Sequence, residues 1–377
     1  MLLSIAVVAV YVVALFTVAF GLARAPRSRR LDRDLPTVTV VLACRNEERD
    51  LPRCLGALAA LDYPEGLLDF VLVDDESTDA TRALLEGSGL SRARVLSTAD
   101  APPSSLRAKA RALAWGARHA TGAWMFVTDA DAVVPRGWLR HALSGVADDV
   151  GVVGGPALPE PTSFTGVLER AIASLLVGFG FAPAGLGGRS VVAGSNLAIR
   201  RALYEAMRGL EGRAFVCAED MALLAMAVES GQRVVAHVDP HTTVRVAPVP
   251  SLLALFSQQR RWFLGGRDAD AATYVPVVFA IGGACALDLG LATLFASSFA
   301  HGVGGILALF AGSTAVLSVF GVRVGEPRLG LQGPLACAYF LAVAPLVFLT
   351  AIAWPRFAWR GEGFVVHFDG PLRGRVR

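Results

Sequence analysis

The sequence predicts an α/β fold: a mostly parallel sheet with flanking helices, plus transmembrane helices at both ends of the chain. Three observations predict it. From Thr37 to Thr128, β-branched runs alternate with helix-spaced leucines, the pattern of parallel strands joined by crossover helices. The run Trp124-Met125-Phe126-Val127-Thr128 then stops abruptly at Asp129-Ala130-Asp131, as a buried strand does when it delivers polar groups to a sheet edge. Finally, 54% of the residues are hydrophobic and the mean hydropathy is +0.52, too apolar for a plain soluble protein.

Taken in order, Leu2 to Leu22 is uncharged and long enough to span a bilayer, which takes about 20 residues. Ala23-Arg24-Ala25 mimics a cleavage site, but Pro26 follows it and the positive charges come after the apolar run, so the segment reads as an anchor. Arg24, Arg27, Arg29, Arg30 and Arg33 place the chain beyond them in the cytoplasm by the positive-inside rule. Thr37 to Cys44 is the first strand, and Glu48 to Leu61 carries Leu51, Leu55, Leu58 and Leu61 at helical spacing. Strands at Asp69 to Val73 and Arg94 to Leu96 alternate with helices at Asp79 to Glu86 and Leu106 to Ala120. No G-x-G-x-x-G follows the first strand and no P-loop lysine motif occurs, so a dinucleotide or P-loop fold is not indicated. A net charge of +3 gives no case for nucleic-acid binding. Cys44, Cys54, Cys217, Cys285 and Cys337 show no pairing or metal-ligand spacing and read as buried thiols in a reducing compartment.

The first strand ends in Arg45-Asn46-Glu47-Glu48 and the second in Asp74-Asp75-Glu76-Ser77-Thr78-Asp79, which puts both clusters on the edge that carries Asp129 and Asp131. For Ser77 and Asp79 a helix cap is a sufficient reading. Two carboxylates as close as Asp129 and Asp131 repel unless a positive group sits between them. A divalent cation bridging to a phosphate would resolve that, and oxygen ligands point to Mg2+ or Mn2+; a solvated turn after the strand is the other reading. Farther on, Glu219-Asp220 opens the apolar helix Met221 to Val228, whose N–H groups would hold the Asp220 carboxylate ionised; helix N-terminal charge alone is the other reading.

The segments VVLACRNEE, VLVDDESTDAT, AKARALAWGARHATGAWMFVTDADA, CAEDMALLAMAVESG and QQRRW resemble the ordered motifs of a family 2 glycosyltransferase with the GT-A fold, over roughly residues 37–262. Ceramide-glucosyltransferase-like and other lipid-modifying members are the nearest in character. The resemblance implies donor binding by Cys44, Glu47, Asp75, Lys109, Asp129 and Asp131, with Asp75 on the nucleotide base and Lys109 near the diphosphate. Asp131, with Asp129, would hold the metal. Asp220 would be the general base, supported by Glu219, and Gln258, Arg261 and Trp262 would form Q-x-x-R-W beside diphosphate and acceptor. Arg45 departs from the pattern, since many members carry an aromatic there. Gly194-Ser195-Asn196 resembles the acceptor-side strand and turn. The implied reaction is inverting transfer from a nucleotide-sugar, commonly a UDP-sugar, to the hydroxyl of a membrane lipid. Polysaccharide synthesis is an alternative, although about four spans are few for a polymer channel. An inactive scaffold of the same fold is another, which loss of Asp131 or Asp220 would have favoured.

The expected organisation is an anchor over 1–22, a cytoplasmic catalytic domain over 36–249, and an interfacial helix over 250–270 with Trp262 at headgroup depth. A membrane region over 271–354 and a basic tail over 355–377 complete it. Phe164 to Pro183 is apolar but contains Glu169 and Arg170 and is glycine-broken; it reads as a packing helix or as a lining of the acceptor entrance. The three last apolar stretches, Tyr274 to Ala296, Val303 to Val322 and Leu331 to Trp354, create a conflict. Three crossings would put Arg356, Arg360, Arg373, Arg375 and Arg377 outside, so one stretch is expected to be re-entrant or interfacial, with the last, containing Pro334 and Pro345, as first candidate.

Overall fold

The computed structural model describes residues 1–213, 218–265, 283–359 and 362–365. Cys217, the first residues of the stretch from Tyr274, Arg360 and the arginines from 373 onward lie outside the described residues.

The alternating pattern folds as expected. β1 (Val38–Cys44), β2 (Leu68–Asp74), β3 (Ala93–Ser97) and β4 (Trp124–Asp129) are joined through α2 (Leu51–Ala59), α3 (Thr81–Glu86) and α4 (Ala108–Ala117), after the N-terminal helix α1 (Leu2–Arg24). Next come β5 (Ala132–Val133), α5 (Trp138–Ala142), β6 (Val150–Gly154), β7 (Ala157–Pro159) and α6 (Phe164–Gly185). β8 (Leu197–Arg200), α7 (Arg201–Ala206), α8 (Glu219–Glu229), β9 (Arg233–Ala236) and β10 (Val244–Val246) follow. The main sheet has the order β3-β2-β1-β4-β8-β6-β9. Only β8 runs antiparallel to its neighbours, so the sheet is mostly parallel. β1, β2 and β4 are buried on both faces, as crossover-covered strands must be. One face packs on Leu51, Leu58, Leu85 and Trp138, the other on Leu113, Leu224 and Met226.

Register fixes the site. Cys44 pairs with Asp74 and Ala43 with Asp129, so the carboxyl ends of the three strands lie level on one edge. The chain turns sharply just past two of them: Asn46 has φ 55° and Glu76 φ 56°, the left-handed region that non-glycine residues rarely adopt.

A second body is built from helices. α9 (Leu252–Gly265) leaves the catalytic sheet, and α10 (Ala284–Ser297), α11 (Phe299–Arg323) and α12 (Gly333–Ala353) pack with α1 and α6, before the hairpin of β11 (Arg356–Trp359) and β12 (Glu362–Val365). Among the described residues, four helices are long and apolar enough to cross a membrane: α1, α6, α11, and α12 together with the turn before it. α6 is thus a continuous helix of 22 residues despite its two charges, and it is the most buried of the four. Its end packs on the end of α1, where Gly185 meets the Gly21 carbonyl so closely that no Cβ fits. Glycines also set the direction of α11: Gly305 lies by Val8 and Gly312 by Leu15, so α11 runs parallel to α1. At their shared end Arg323 donates to the carbonyls of Ala25, Pro26 and Val238, and the Val238 N–H donates to Pro26 at 3.1 Å, which ties both helices to the sheet domain.

Candidate functional site

One cavity of about 460 Å³ opens between the sheet edge and the helical body. Every residue expected to act lines it except Glu47: Cys44, Asp75, Lys109, Asp129, Asp131, Glu219, Asp220, Gln258, Arg261 and Trp262 all face it. Glu47 belongs to the brace behind it. Its N–H donates to Thr81 Oγ1 at 2.7 Å, Asn46 N–H donates to Ser77 Oγ, and Asp79 accepts from Glu48 and Thr81 N–H. Ser77 and Asp79 therefore stitch the β1 and β2 turns together; Asp79 also accepts the first N–H of α3, whereas Ser77 caps no helix, because the α3 N-cap is Ala80.

The strand-edge end is crowded with charge. Asp75 is 5% exposed; Thr98 Oγ1 donates to its Oδ1 at 2.8 Å and Arg45 approaches Oδ2 at 3.6 Å. Burial raises its pKa, against the pull of the Thr98 hydroxyl and the Arg45 guanidinium. Arg45 itself lines the cavity, so a cation occupies the aromatic position of the motif. Lys109, at the start of α4, reaches Asp129 Oδ1 at 2.6 Å and Glu219 Oε1 at 2.5 Å. Burial pulls its ammonium down, but these two carboxylates outweigh burial and raise the pKa overall. Lys109 is also the only lysine in the chain, the other basic residues being arginine. Its compact ammonium, with three donors, bridges the two carboxylates. The Cys54 thiol donates to the Asp129 carbonyl at 3.4 Å and holds the Asp129 turn from behind. Cys44, Cys54, Cys285 and Cys337 are free thiols, as their spacing predicts.

Glu219 and Asp220 begin α8, with Glu219 7% exposed. Asp220 Oδ1 accepts from the Met221 N–H at 2.9 Å, so the helix terminus does reach it. The expectation that this would keep the group readily ionised is corrected. Burial and the neighbouring Glu219 outweigh Lys109 and the helix N–H, and the Asp220 pKa is pushed up to about 7. Gly194 abuts this carboxylate; a Cβ there would lie 3.3 Å from Asp220 Oδ2. Of the acceptor-side turn, Gly194 and Ser195 line the cavity, whereas Asn196 is a buried strut. It accepts from Trp138 Nε1 at 2.8 Å and donates to the carbonyls of Pro156 and Thr242.

The other end is apolar, lined by Ile172, Leu176 and Phe181 of α6 and by Phe340, Ala344 and Val347 of α12. α9 runs between the two ends. Leu255, Gln259 and Phe263, four apart, face inward, and Leu252, Leu253 and Trp262 are exposed at 53%, 74% and 41%. The helix expected at the membrane interface over 250–270 thus carries two stripes of apolar residues, one buried and one exposed. Arg260 donates to the carbonyls of Thr350 and Trp354, which fastens α9 to the last turn of α12.

Sequence reasoning missed Glu169 as a site residue. It is 2% exposed, lines the cavity, and accepts from the Val249 N–H at 2.7 Å and from Gln258 Nε2 at 3.1 Å. The available signal was a carboxylate inside an apolar helix, which is costly unless paired. Among the described residues, no group of three His, Cys, Asp or Glu side chains comes together to hold a metal. What the cavity does offer is Asp129 and Asp131, two carboxylates one residue apart. Such a set suits Mg2+ or Mn2+ shared with phosphate oxygens and waters, and does not form a closed protein cage.

Comparison with known proteins fits this geometry. The chain is 28% identical over 206 residues, 52% of its length, to the probable glycosyltransferase YdaM of Bacillus subtilis (strain 168), and it spans about half, 48%, of that relative. It is 45% identical over 51 residues, 14% of the chain, to the probable inactive glycosyltransferase 25 family member 3 of Bos taurus, 9% of which is covered. Among solved structures it resembles the mannosyltransferase PcManGT from Pyrobaculum calidifontis, in complex with GDP-Man and Mn2+. The TM-score is 0.57 at 22% identity, covering 90% of this chain and 97% of that one, a likeness of fold. The expectation of a GT-A glycosyltransferase with apolar helices near both ends holds. The family model described as Glycosyl transferase family 21 matches residues 2–372, nearly the whole length, and the chain belongs to that family.

Proposed function

We propose that the chain is an inverting glycosyltransferase that moves a sugar from a nucleotide diphosphate, a UDP-sugar, to a hydroxyl of a membrane lipid at the cytoplasmic face of the cell membrane. One observation carries this reading: a single cavity joins an acid-and-cation end to an apolar end made by α6 and α12, two of the helices apolar enough to meet a bilayer. Asp75 takes the nucleotide base, with Cys44 and Arg45 beside it. Asp131 and Asp129 hold Mg2+ or Mn2+, which when bound neutralises charge on the leaving diphosphate. Arg261 adds a forked contact to the same phosphates. Asp220 accepts the proton of the acceptor hydroxyl as it attacks, a role typically worth about 10²–10⁴ in rate, and a base with pKa about 7 is matched to neutral conditions. Glu219, held by Lys109, keeps its neighbour in place. Trp262 lies at headgroup depth, with Gln258 facing the acceptor.

The same contacts support a topology. β6 and β8 are neighbours in one sheet, so the chain between them, α6 included, starts and ends on one side of the membrane. α6 therefore lies along or dips into the bilayer. α1 and α11 run from outside to inside, and α10 runs outward. Arg260 holds the end of α12 against α9, so the arginine-rich tail begins on the catalytic side. α12 is then the re-entrant or interfacial stretch, and the positive-inside conflict disappears.

Sealed membrane vesicles of both orientations, incubated with labelled nucleotide sugars and Mn2+ and then extracted with organic solvent, test the reading. Counts in the organic phase from inverted vesicles are expected. Label retained as insoluble polymer, or transfer only in right-side-out vesicles, would overturn the acceptor or the orientation.

A further inference from the structure

Glu169 is an ionisable side chain 2% exposed on an otherwise apolar helix, and no cation is among its partners in the described residues. Burying a charge this way is costly, so what the carboxylate does is informative. Both of its oxygens accept: one takes the Val249 N–H at 2.7 Å, the other Gln258 Nε2 at 3.1 Å. The first partner is a backbone group on the strand-to-helix link that leads into α9, and it can only donate. The second is an amide, which has a donor end and an acceptor end. A carboxylate that accepts on both oxygens settles which end faces it, because the reversed amide would set oxygen against oxygen. The Gln258 carbonyl oxygen is thereby turned away from Glu169, and it is buried with no hydrogen-bond partner among the described residues. An unmade hydrogen bond at a buried carbonyl lowers stability unless a ligand completes it.

We propose that Glu169 is a positioning residue: by holding the amide end of Gln258 it keeps the Gln258 carbonyl oxygen, buried in the cavity wall, as the hydrogen-bond acceptor that an arriving substrate hydroxyl completes. The inference rests on the proposed role of Gln258 in transfer and deepens it. Packing supports it, since Leu168 and Ile172, on either side of Glu169 in α6, close on Leu255, one turn before Gln258 in α9. The pair thus spans the contact between the helix that lines the apolar end and the helix that carries Gln258, Arg261 and Trp262.

The chemistry of substitution is specific. In Glu169→Gln the new side chain has one acceptor. The fixed Val249 N–H claims it, leaving an NH2 to face Gln258, whose amide must then flip and point its own NH2 into the cavity. The exchange Glu169→Gln with Gln258→Glu keeps both internal hydrogen bonds and restores an acceptor oxygen on the cavity side. The test uses the full chain in nanodiscs, with kcat, KM for each substrate and thermal unfolding measured for E169Q, Q258A, E169Q/Q258A and E169Q/Q258E. Expected are a kcat loss of about tenfold in E169Q with the donor KM unchanged, no further loss when E169Q is added to Q258A, and recovery to within about threefold of the unaltered protein in E169Q/Q258E. A mere strut would give losses that multiply in E169Q/Q258A and no recovery in the exchange, and either result overturns the proposal, even if E169Q alone folds poorly. An unimpaired Q258A would instead remove Gln258 from the proposed reaction, and with it this inference, while leaving the transferase reading in place.

Discussion

The two ends of the cavity treat a buried carboxylate differently. At the strand edge, Asp129 and Glu219 share the Lys109 ammonium and Asp75 leans on Thr98 and Arg45. At the apolar end, Glu169 is held by an amide and a backbone N–H, with no cation. Asp220 stands between, next to Glu219 and with its pKa pushed up to about 7. Charge compensated by a neighbouring cation can be re-paired when an anionic ligand and its metal arrive. Charge fixed by neutral hydrogen bonds holds a geometry. The first arrangement suits a diphosphate that binds and leaves; the second suits a fixed site for an uncharged acceptor.

Predictions sharpen or break that contrast. The largest effect is expected at the proposed metal ligands: Asp131→Ala should cut transfer by about a thousandfold while leaving the fold intact, and EDTA should abolish activity in the unaltered protein. Full activity in EDTA would remove the cation from the account. Next is Lys109→Met, which strands Asp129 and Glu219 without their shared cation. Glu219 is the buried partner, and losing one member of such a pair costs about 3–5 kcal/mol of stability, measurable by denaturant unfolding in detergent; the half-exposed Asp129 adds little. A change under about 1 kcal/mol would mean the acids are well solvated and the contrast is false. A smaller effect is expected with pH. Because the folded-state pKa of Asp220 is raised, the group is protonated and unable to act as base below pH about 7, so kcat/KM should rise through that pH to a plateau. A profile flat from pH 5.5 to 8, in roughly the range a histidine-like group would titrate, would contradict the base. Smallest is Leu253→Glu on the exposed stripe of α9: stability should move by less than about 0.5 kcal/mol. Only the KM for an acceptor presented in a bilayer should rise.

The strand-edge half of the site was legible in the sequence because its logic is local. An apolar run that stops at acids must put them at a strand end, and parallel strands end on one edge, so Asp75, Asp129 and Asp131 follow from pattern alone. The apolar half was not legible in this way. Glu169 and Arg170 dilute the hydropathy of α6, and their compensation comes from far along the chain: Val249 and Gln258 lie 80 and 89 positions from Glu169, and Arg170 meets Glu326. Periodicity carries no trace of such partners. The division of α9 into a buried and an exposed stripe was hidden for the same reason, since both stripes contain leucine and only packing against α6 and α12 tells them apart. The pKa of Asp220 was misjudged because the helix terminus is visible in sequence, whereas burial is not.

The central claim is that donor and acceptor meet at Asp220, which acts on the acceptor alone. Asp220→Asn preserves size and removes proton-accepting power, so nucleotide-sugar binding measured by calorimetry separates the roles from kcat measured on the same preparation. The account predicts donor affinity within about threefold of the unaltered protein and kcat lower by at least about a hundredfold, with Glu219→Gln milder. Loss of donor binding in Asp220→Asn, with turnover alone lost in Glu219→Gln, would contradict it and exchange the roles of the two acids.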